Sequence, residues 1–156
     1  MKKLMMILSL ILFLSGCSVK ESKTKFQIVV TLFPQYDLIK RIVEDRAEVI
    51  LLLPPGVEAH SYEPTPKDIV KINESDMFIY TSDNLETYAS KIVKSIDNKD
   101  LEVIELIDEI NIVDYHDHSE EEADHEEHDH EHDQHFWLDP ALMADMSDLL
   151  LKYLIE

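Results

Sequence analysis

Two histidines stand where a parallel sheet would bring them to one edge. His60 follows an apolar segment and a turn containing Gly56, and His135 lies just before a helix start at Pro140. Loops at the carboxyl ends of parallel strands are where such folds bind ligands. Two neutral imidazoles held there supply half of a four-coordinate zinc site. Because a lone loop histidine is usually a solvated surface residue, the prediction depends on the pair.

Glu58 is an acidic neighbour of this candidate site. It precedes His60 by two residues and lies on the same predicted loop. Its carboxylate could bind the metal directly, or accept the second ring N–H of a ligating histidine. It could equally be an ordinary solvated acid, and the sequence leaves these alternatives open.

A second group of histidines is concentrated in residues 114–133. This segment holds 11 acidic residues, six histidines and no Lys or Arg, within a chain of formal net charge -19. It has too few apolar residues to form a core, so we expect an exposed loop. Interspersed imidazoles favour zinc, copper or nickel. The expected auxiliary metal ligands are His116, His118, His125, His128, His130 and His132.

The N-terminus has the features of a bacterial lipoprotein signal. A short basic start precedes an apolar run over 4–14, which is too short to span a bilayer comfortably. Small residues then precede Cys17, the one cysteine in the chain. We expect residues 1–16 to be removed, Cys17 to be lipidated, and residues 17–25 to form a tether. The mature protein would be extracytoplasmic and anchored to the cell membrane.

The elements that must position the histidines alternate between strand and helix. Short apolar runs predict strands over 26–33, 47–53, 77–81 and 101–107. Helical patterns predict helices over 35–45, from Pro66, over 84–96 and from Pro140. Ile69, Val70 and Ile72 are expected to face the core, and Trp137 to anchor it. The order predicts an α/β fold, a parallel sheet with helices on both faces, over residues 26–113.

Composition excludes several classes of function. The strong negative charge argues against nucleic-acid binding. With one cysteine, the chain can form neither an internal disulfide nor a multi-cysteine metal site. It has two glycines, so a glycine-rich phosphate loop is absent, as is an H-E-x-x-H motif. No nucleophile stands in a recognisable setting, and we expect no enzymatic activity.

The motifs together resemble a known family. In order, the chain has a lipoprotein signal, the segment from Gly56 to Thr65 (GVEAHSYEPT), an acidic histidine-rich loop, and the segment from His135 to Pro140 (HFWLDP). This combination resembles the zinc/manganese solute-binding lipoproteins of bacterial ATP-binding-cassette importers. The histidine-rich loop is similar to that of the zinc branch, so Mn(II) is the less favoured ligand.

The resemblance implies two α/β lobes joined by a long helix, with the metal between them. His60 and His135 match the two ligands of the N-terminal lobe. Residues 134–156 would hold the second motif and the start of a helix leading to a second lobe, which this sequence lacks, so a truncated chain is expected. The resemblance implies Zn(II) capture and delivery to a membrane permease powered by an ATPase.

Two other functions are compatible with parts of this sequence. The chain could be a surface zinc buffer that uses the histidine-rich loop and delivers nothing to a permease. A metallohydrolase is the least favoured reading, because it would need an open coordination position and a placed base.

Overall fold

The computed structural model describes residues 25–110 and 135–155. The predicted signal peptide, Cys17, and all six histidines of the segment 114–133 lie outside these ranges. Within them, no helix is both long enough and apolar enough to cross a membrane. The elements are β1 (Phe26–Val30), α1 (Phe33–Val43), β2 (Ala47–Leu51), α2 (Pro66–Glu74), β3 (Met77–Tyr80), α3 (Ala89–Ser95), β4 (Glu102–Glu105), α4 (Leu106–Glu109), a 3-10 helix (Phe136–Leu138) and α5 (Pro140–Ile155).

The four strands form one parallel sheet in the order β2-β1-β3-β4. Ile28 of β1 pairs with Val49 on one side and with Met77 on the other, and Ile79 of β3 pairs with Ile104. The predicted parallel sheet is therefore confirmed. After β1 the chain forms β2 on one side of β1, and later forms β3 on the other side of β1. The direction in which strands are added therefore reverses between β1 and β3. Such a reversal opens a crevice at the carboxyl edge, where α/β folds bind ligands.

Helices cover both faces of the sheet, as predicted. Successive strand residues point to opposite faces, so Ile28 and Val30 belong to one buried cluster and Val29 to another. The first cluster includes side chains of α1 and α5, and the second includes Ile72 of α2 and Ile92 of α3. The two clusters hold the sheet rigidly between two layers of helices.

The first strand ends earlier than the apolar run 26–33 predicts. β1 stops at Val30, and α1 already begins at Phe33. The side-chain oxygen of Gln35 accepts the backbone N–H of Leu32, the N-cap residue, at 3.1 Å. This hydrogen bond fixes the first turn of the helix. Pro34 therefore lies in the first helical turn, where its missing N–H costs nothing, and does not terminate the strand.

Two later elements are also shorter than predicted. The helix expected over 84–96 covers Ala89–Ser95, because the segment before it is a turn in which the N–H of Glu86 donates to the carbonyl of Ser82 at 2.9 Å. The strand expected over 101–107 ends at Glu105. Its next residue begins α4, and the N–H of Ile107 donates to the carbonyl of Thr81.

The start of α2 is confirmed, but its predicted buried face is wrong. Thr65 caps the helix by accepting the N–H of Asp68 at 3.3 Å. Ile72 is fully buried, whereas Ile69 and Val70 are exposed. In a nine-residue helix only one narrow stripe reaches the sheet, and that stripe holds Asp68 and Ile72, four residues apart.

Asp68 should contribute pH-dependent stability. Burial raises its pKa, but hydrogen bonds from Lys71, Thr65 and Tyr62 outweigh that effect and hold the pKa at about 2. Because the folded value is depressed, the stabilisation is present above the unfolded value of 3.8 and is lost as the pH falls through about 2. We expect Asp68→Asn to lower the free energy of unfolding at pH 7 by about 1–2 kcal/mol.

Urea unfolding of both proteins, followed by circular dichroism from pH 7 to pH 2, checks this. The exposed Glu74 of the same helix gives a matched control, Glu74→Gln, expected to stay within about 0.5 kcal/mol of the natural chain. A difference between Asp68→Asn and the natural chain that persists undiminished at pH 2 would contradict the assignment.

Candidate metal site

The loop that carries His60 is fixed where it leaves the sheet. Beyond β2, the N–H groups of Leu52 and Leu53 donate to the carbonyls of Val30 and Thr31, at 2.8 and 3.2 Å. The chain then turns, with the N–H of Val57 donating to the carbonyl of Pro54 at 3.1 Å. Gly56 has φ of 81°, the left-handed value that this turn requires at its third residue.

Glu58 organises the backbone around His60. One carboxylate oxygen accepts the N–H of His60 at 3.1 Å, and the other accepts the N–H of Ser61, also at 3.1 Å. The hydrogen bond from the His60 backbone is the largest influence on the pKa of Glu58, which lies below its ordinary value. This contact with the loop backbone is a role that the sequence did not predict, and a role for Glu58 at a metal stays a prediction.

The far end of the loop is attached to α2. Tyr62 donates its hydroxyl to the carboxylate of Asp68 at 3.0 Å, and its ring packs edge-on against Tyr88, with centroids 5.6 Å apart. Burial, reinforced by Asp68, raises the pKa of Tyr62 to about 12, so the hydroxyl remains a donor at neutral pH. His60 is therefore carried between two anchored ends.

His135 is positioned by the residue that follows it. Phe136 is 2% exposed and belongs to the cluster beneath α1 and α5. The carbonyl of His135 accepts the N–H of Leu138 at 2.9 Å, which closes the 3-10 helix. Asp139 then accepts the N–H of Ala141 at 2.7 Å and caps α5.

Trp137, the predicted core anchor, packs against the core cluster, but its neighbour Phe136 is the residue that enters it. Phe136 fills the core, and Trp137 is half-buried at its margin. The indole ring lies beside His135 instead, with ring centroids 5.4 Å apart. In the tight 3-10 turn neighbouring side chains diverge, so only one of the two rings can enter the cluster.

The two imidazoles meet at the carboxyl edge of the sheet. The ring centroids of His60 and His135 are 6.0 Å apart, with an angle of 58° between the planes, and both residues are exposed. With zinc–nitrogen bonds of about 2 Å, two rings on one tetrahedral ion would have centroids about 5 Å apart. A small closing movement of two exposed side chains covers that difference.

The pair offers zinc two ligands. Across residues 25–110 and 135–155 no group of three or more His, Cys, Asp or Glu side chains is arranged to hold a metal. Structural zinc sites take four protein ligands, and sites that retain water commonly take three. The pair alone is therefore a partial site, open to solvent and to further ligands.

A buried polar cluster beneath this edge was not predicted from the sequence. Its members are Thr31, Gln35, Thr81, Ser82 and Glu86, each at most 2% exposed. Thr31 and Thr81 directly follow the apolar strands β1 and β3, and polar residues at strand ends could have indicated a cluster there. Glu86 gave no such signal, because an acid in a segment with a helical pattern normally faces water.

Comparisons with known proteins identify the family to which the chain belongs. A sequence model of the family described as "Zinc-uptake complex component A periplasmic" matches residues 28–156. The zinc-binding lipoprotein AdcA of Streptococcus pneumoniae is 37% identical over 150 residues, which are 90% of this chain and 29% of AdcA. The high-affinity zinc uptake system protein ZnuA of Bacillus subtilis is 40% identical over 120 residues, which are 76% of this chain and 38% of ZnuA.

Solved structures show the same fold. The Zn(II)-bound ZnuA-like domain of S. pneumoniae AdcA superposes with a TM-score of 0.67 at 29% identity, covering 83% of this chain and 43% of that one. The metal-dependent lipoprotein YcdH of B. subtilis gives 0.67 at 31% identity, covering 84% and 44%. This chain thus spans less than half of each relative, and by the family match it belongs to the ZnuA family of zinc-uptake components.

Proposed function

We propose that this chain binds Zn(II) outside the cytoplasm as the solute-binding component of a zinc importer. The observation that carries the proposal is the approach of His60 and His135 to a ring separation of 6.0 Å at the sheet edge. Relatives named as zinc-binding and zinc-uptake proteins support zinc as the ion. Imidazole nitrogen also suits zinc better than manganese, which favours oxygen ligands.

Capture requires both rings to be neutral. A protonated imidazole has no free lone pair for the ion, so binding releases protons and weakens as the solution is acidified. Glu58 favours capture by holding the backbone of His60 in one conformation, which lowers the entropy lost on binding. The chain binds and releases the ion and carries out no catalysis.

Delivery is the second part of the proposal. The bound ion would pass to a membrane permease driven by an ATPase, with the chain held at the membrane by a lipid on Cys17. The names of the relatives, a lipoprotein and an uptake-system protein, support this arrangement. In cells, replacing Cys17 with Ser should abolish the incorporation of a labelled fatty acid into the protein.

A calorimetric zinc titration tests the binding step. We would use the full chain carrying Cys17→Ser, with and without His60→Ala and His135→Ala. We expect the double histidine variant to bind zinc at the tightest site at least about 100-fold more weakly than the natural chain. A loss of about 100-fold is the upper range for removing an outer hydrogen-bond partner of a metal ligand, and this variant removes the ligands themselves. His118→Ala/His130→Ala is the matched control, because it removes two imidazoles from the segment 114–133, and it should retain that event.

The opposite pattern would support a different function. If the His60/His135 variant and the natural chain give the same weak binding at several sites, and the control variant reduces it, the sheet-edge pair does not capture zinc. The chain would then act as a zinc buffer through the histidine-rich segment.

A further inference from the structure

The crevice between β1 and β3 is filled by the protein's own polar side chains. Glu86 is fully buried there. One of its carboxylate oxygens accepts the hydroxyl of Thr31 at 2.6 Å and the N–H of Thr81 at 3.2 Å, and the other accepts the N–H of Ser82 at 3.0 Å. The carboxylate thus joins the ends of two strands that stand side by side.

Gln35 makes a second bridge across the same crevice. Its side-chain oxygen accepts the N–H of Thr31 at 3.1 Å, and its side-chain nitrogen donates to the hydroxyl of Thr81 at 2.9 Å. All described buried side-chain nitrogen and oxygen atoms have hydrogen-bond partners. A fully satisfied buried network of this kind holds its members in one arrangement.

The bridged residues are bonded directly to the start of the His60 loop and, through α4, are connected to the buried cluster that contains Phe136. The carbonyl of Thr31 accepts the N–H of Leu53, where the His60 loop leaves the sheet, at 3.2 Å. The carbonyl of Thr81 accepts the N–H of Ile107 in α4 at 3.0 Å. Leu106 of the same helix shares a buried cluster with Phe136, the neighbour of His135.

We propose that Glu86, assisted by Gln35, is a positioning residue that sets the distance between His60 and His135. It does so by locking together the strand ends from which the two histidine segments are supported. None of the described hydrogen bonds of Glu86 is made with an imidazole of this pair. Glu86 acts through Thr31 and Thr81. The expected effect on zinc affinity rests on the proposed function, because it assumes that His60 and His135 bind the ion.

Glu86→Gln is the most direct test, because it preserves the size of the side chain. Each carboxylate oxygen accepts a backbone N–H, so either orientation of the amide sets its NH₂ group against one of them. We expect zinc to bind about tenfold more weakly, at a temperature where circular dichroism shows the variant to be folded. An affinity within twofold of the natural chain would overturn the proposal.

Glu105→Gln supplies the matched control. Glu105 accepts the hydroxyl of Tyr80 and the N–H of Asp83, both at 2.8 Å, so it loses the same kinds of bond at the same edge. It lies on β4, away from the β1–β3 crevice, and its zinc affinity should stay within twofold. Equal losses in both variants would show general loosening of the edge and would refute a specific role for Glu86.

A second pair of variants covers the case in which Glu86→Gln does not fold. Thr81→Val removes the hydroxyl that accepts from Gln35, and Thr81→Ser retains it. We expect weaker zinc binding in Thr81→Val and recovery in Thr81→Ser. Equal affinity in these two folded proteins would contradict the proposal.

A cross-linking readout separates this proposal from the zinc proposal. In the chain with Cys17→Ser, His60→Cys and His135→Cys introduce two thiols and leave no other cysteine. With oxidised glutathione at a fixed concentration as the oxidant, which is reduced to two thiols as the S–S bond forms, adding Glu86→Gln should slow disulfide formation about fivefold. The alkylation rates of the single-cysteine variants correct for exposure. An unchanged rate refutes positioning by Glu86 whether or not zinc binds, whereas zinc binding independent of both histidines refutes only the proposed function.

Discussion

Zinc at a hundredfold excess over its dissociation constant should stabilise the folded chain by about 2.7 kcal/mol. At the proposed site the ion would need both imidazoles at the separation that only the folded sheet provides, so it should bind the native state in preference to the unfolded chain. For a domain of this size the midpoint of thermal unfolding should rise by roughly 10 °C. Thermal melts followed by circular dichroism, with free zinc fixed by a buffer, measure the shift.

The same melts contain their own controls. Magnesium prefers oxygen ligands in octahedral geometry and should leave the midpoint unchanged. The His60→Ala/His135→Ala variant should melt at one temperature with and without zinc, and a chelator should return the natural chain to its metal-free midpoint. An equal zinc-induced shift in the double variant would show that the stabilising ion binds elsewhere.

Phe78→Ala should be among the most destabilising single substitutions, at about 3–5 kcal/mol. Phe78 is fully buried in β3, one of the two central strands, in one cluster with Val29 and Ile72. Its ring stacks on Tyr80 with centroids 5.6 Å apart. The truncation removes apolar contacts and leaves a cavity between the sheet and its helices. That loss is a large share of the roughly 5–15 kcal/mol that stabilises a typical domain.

Phe33→Ala provides a control with the same change of side chain. Phe33 is 63% exposed at the start of α1, so the substitution should cost less than about 1 kcal/mol. Urea unfolding of the two variants would compare them directly. Comparable losses in both would show that the cluster around Phe78 is not the core that its burial indicates.

The architecture was predictable because it depends on patterns along the chain. Apolar runs of strand length separated by helical segments predict a parallel sheet covered on both faces. Element ends were less predictable, because they depend on particular side chains. Gln35 starts α1 at Phe33, and Glu86 holds residues 81–82 in a turn, through hydrogen bonds that no periodicity encodes.

The site was predictable to the extent that topology determines it. Parallel strands place their following loops at one edge, so the approach of His60 and His135 follows from the order of the elements. The role of Glu58 depends on the backbone of its loop, which the sequence does not specify. Glu86 was beyond reach, because its partner Thr31 lies 55 residues away and only the folded sheet brings them together.

The central place of β1 in the sheet also sets a timetable for folding. Its residue Val30 pairs with Leu51 on one side but with Ile79 on the other, so about 50 more residues must be made before both of its edges can pair. At about 5–20 residues per second that interval is roughly 3–10 seconds. Throughout it, an uncharged strand of sequence FQIVV has an unpaired edge available for pairing with other chains. The yield of folded protein is therefore expected to depend on keeping this edge of β1 from pairing with other chains until β3 has been synthesised.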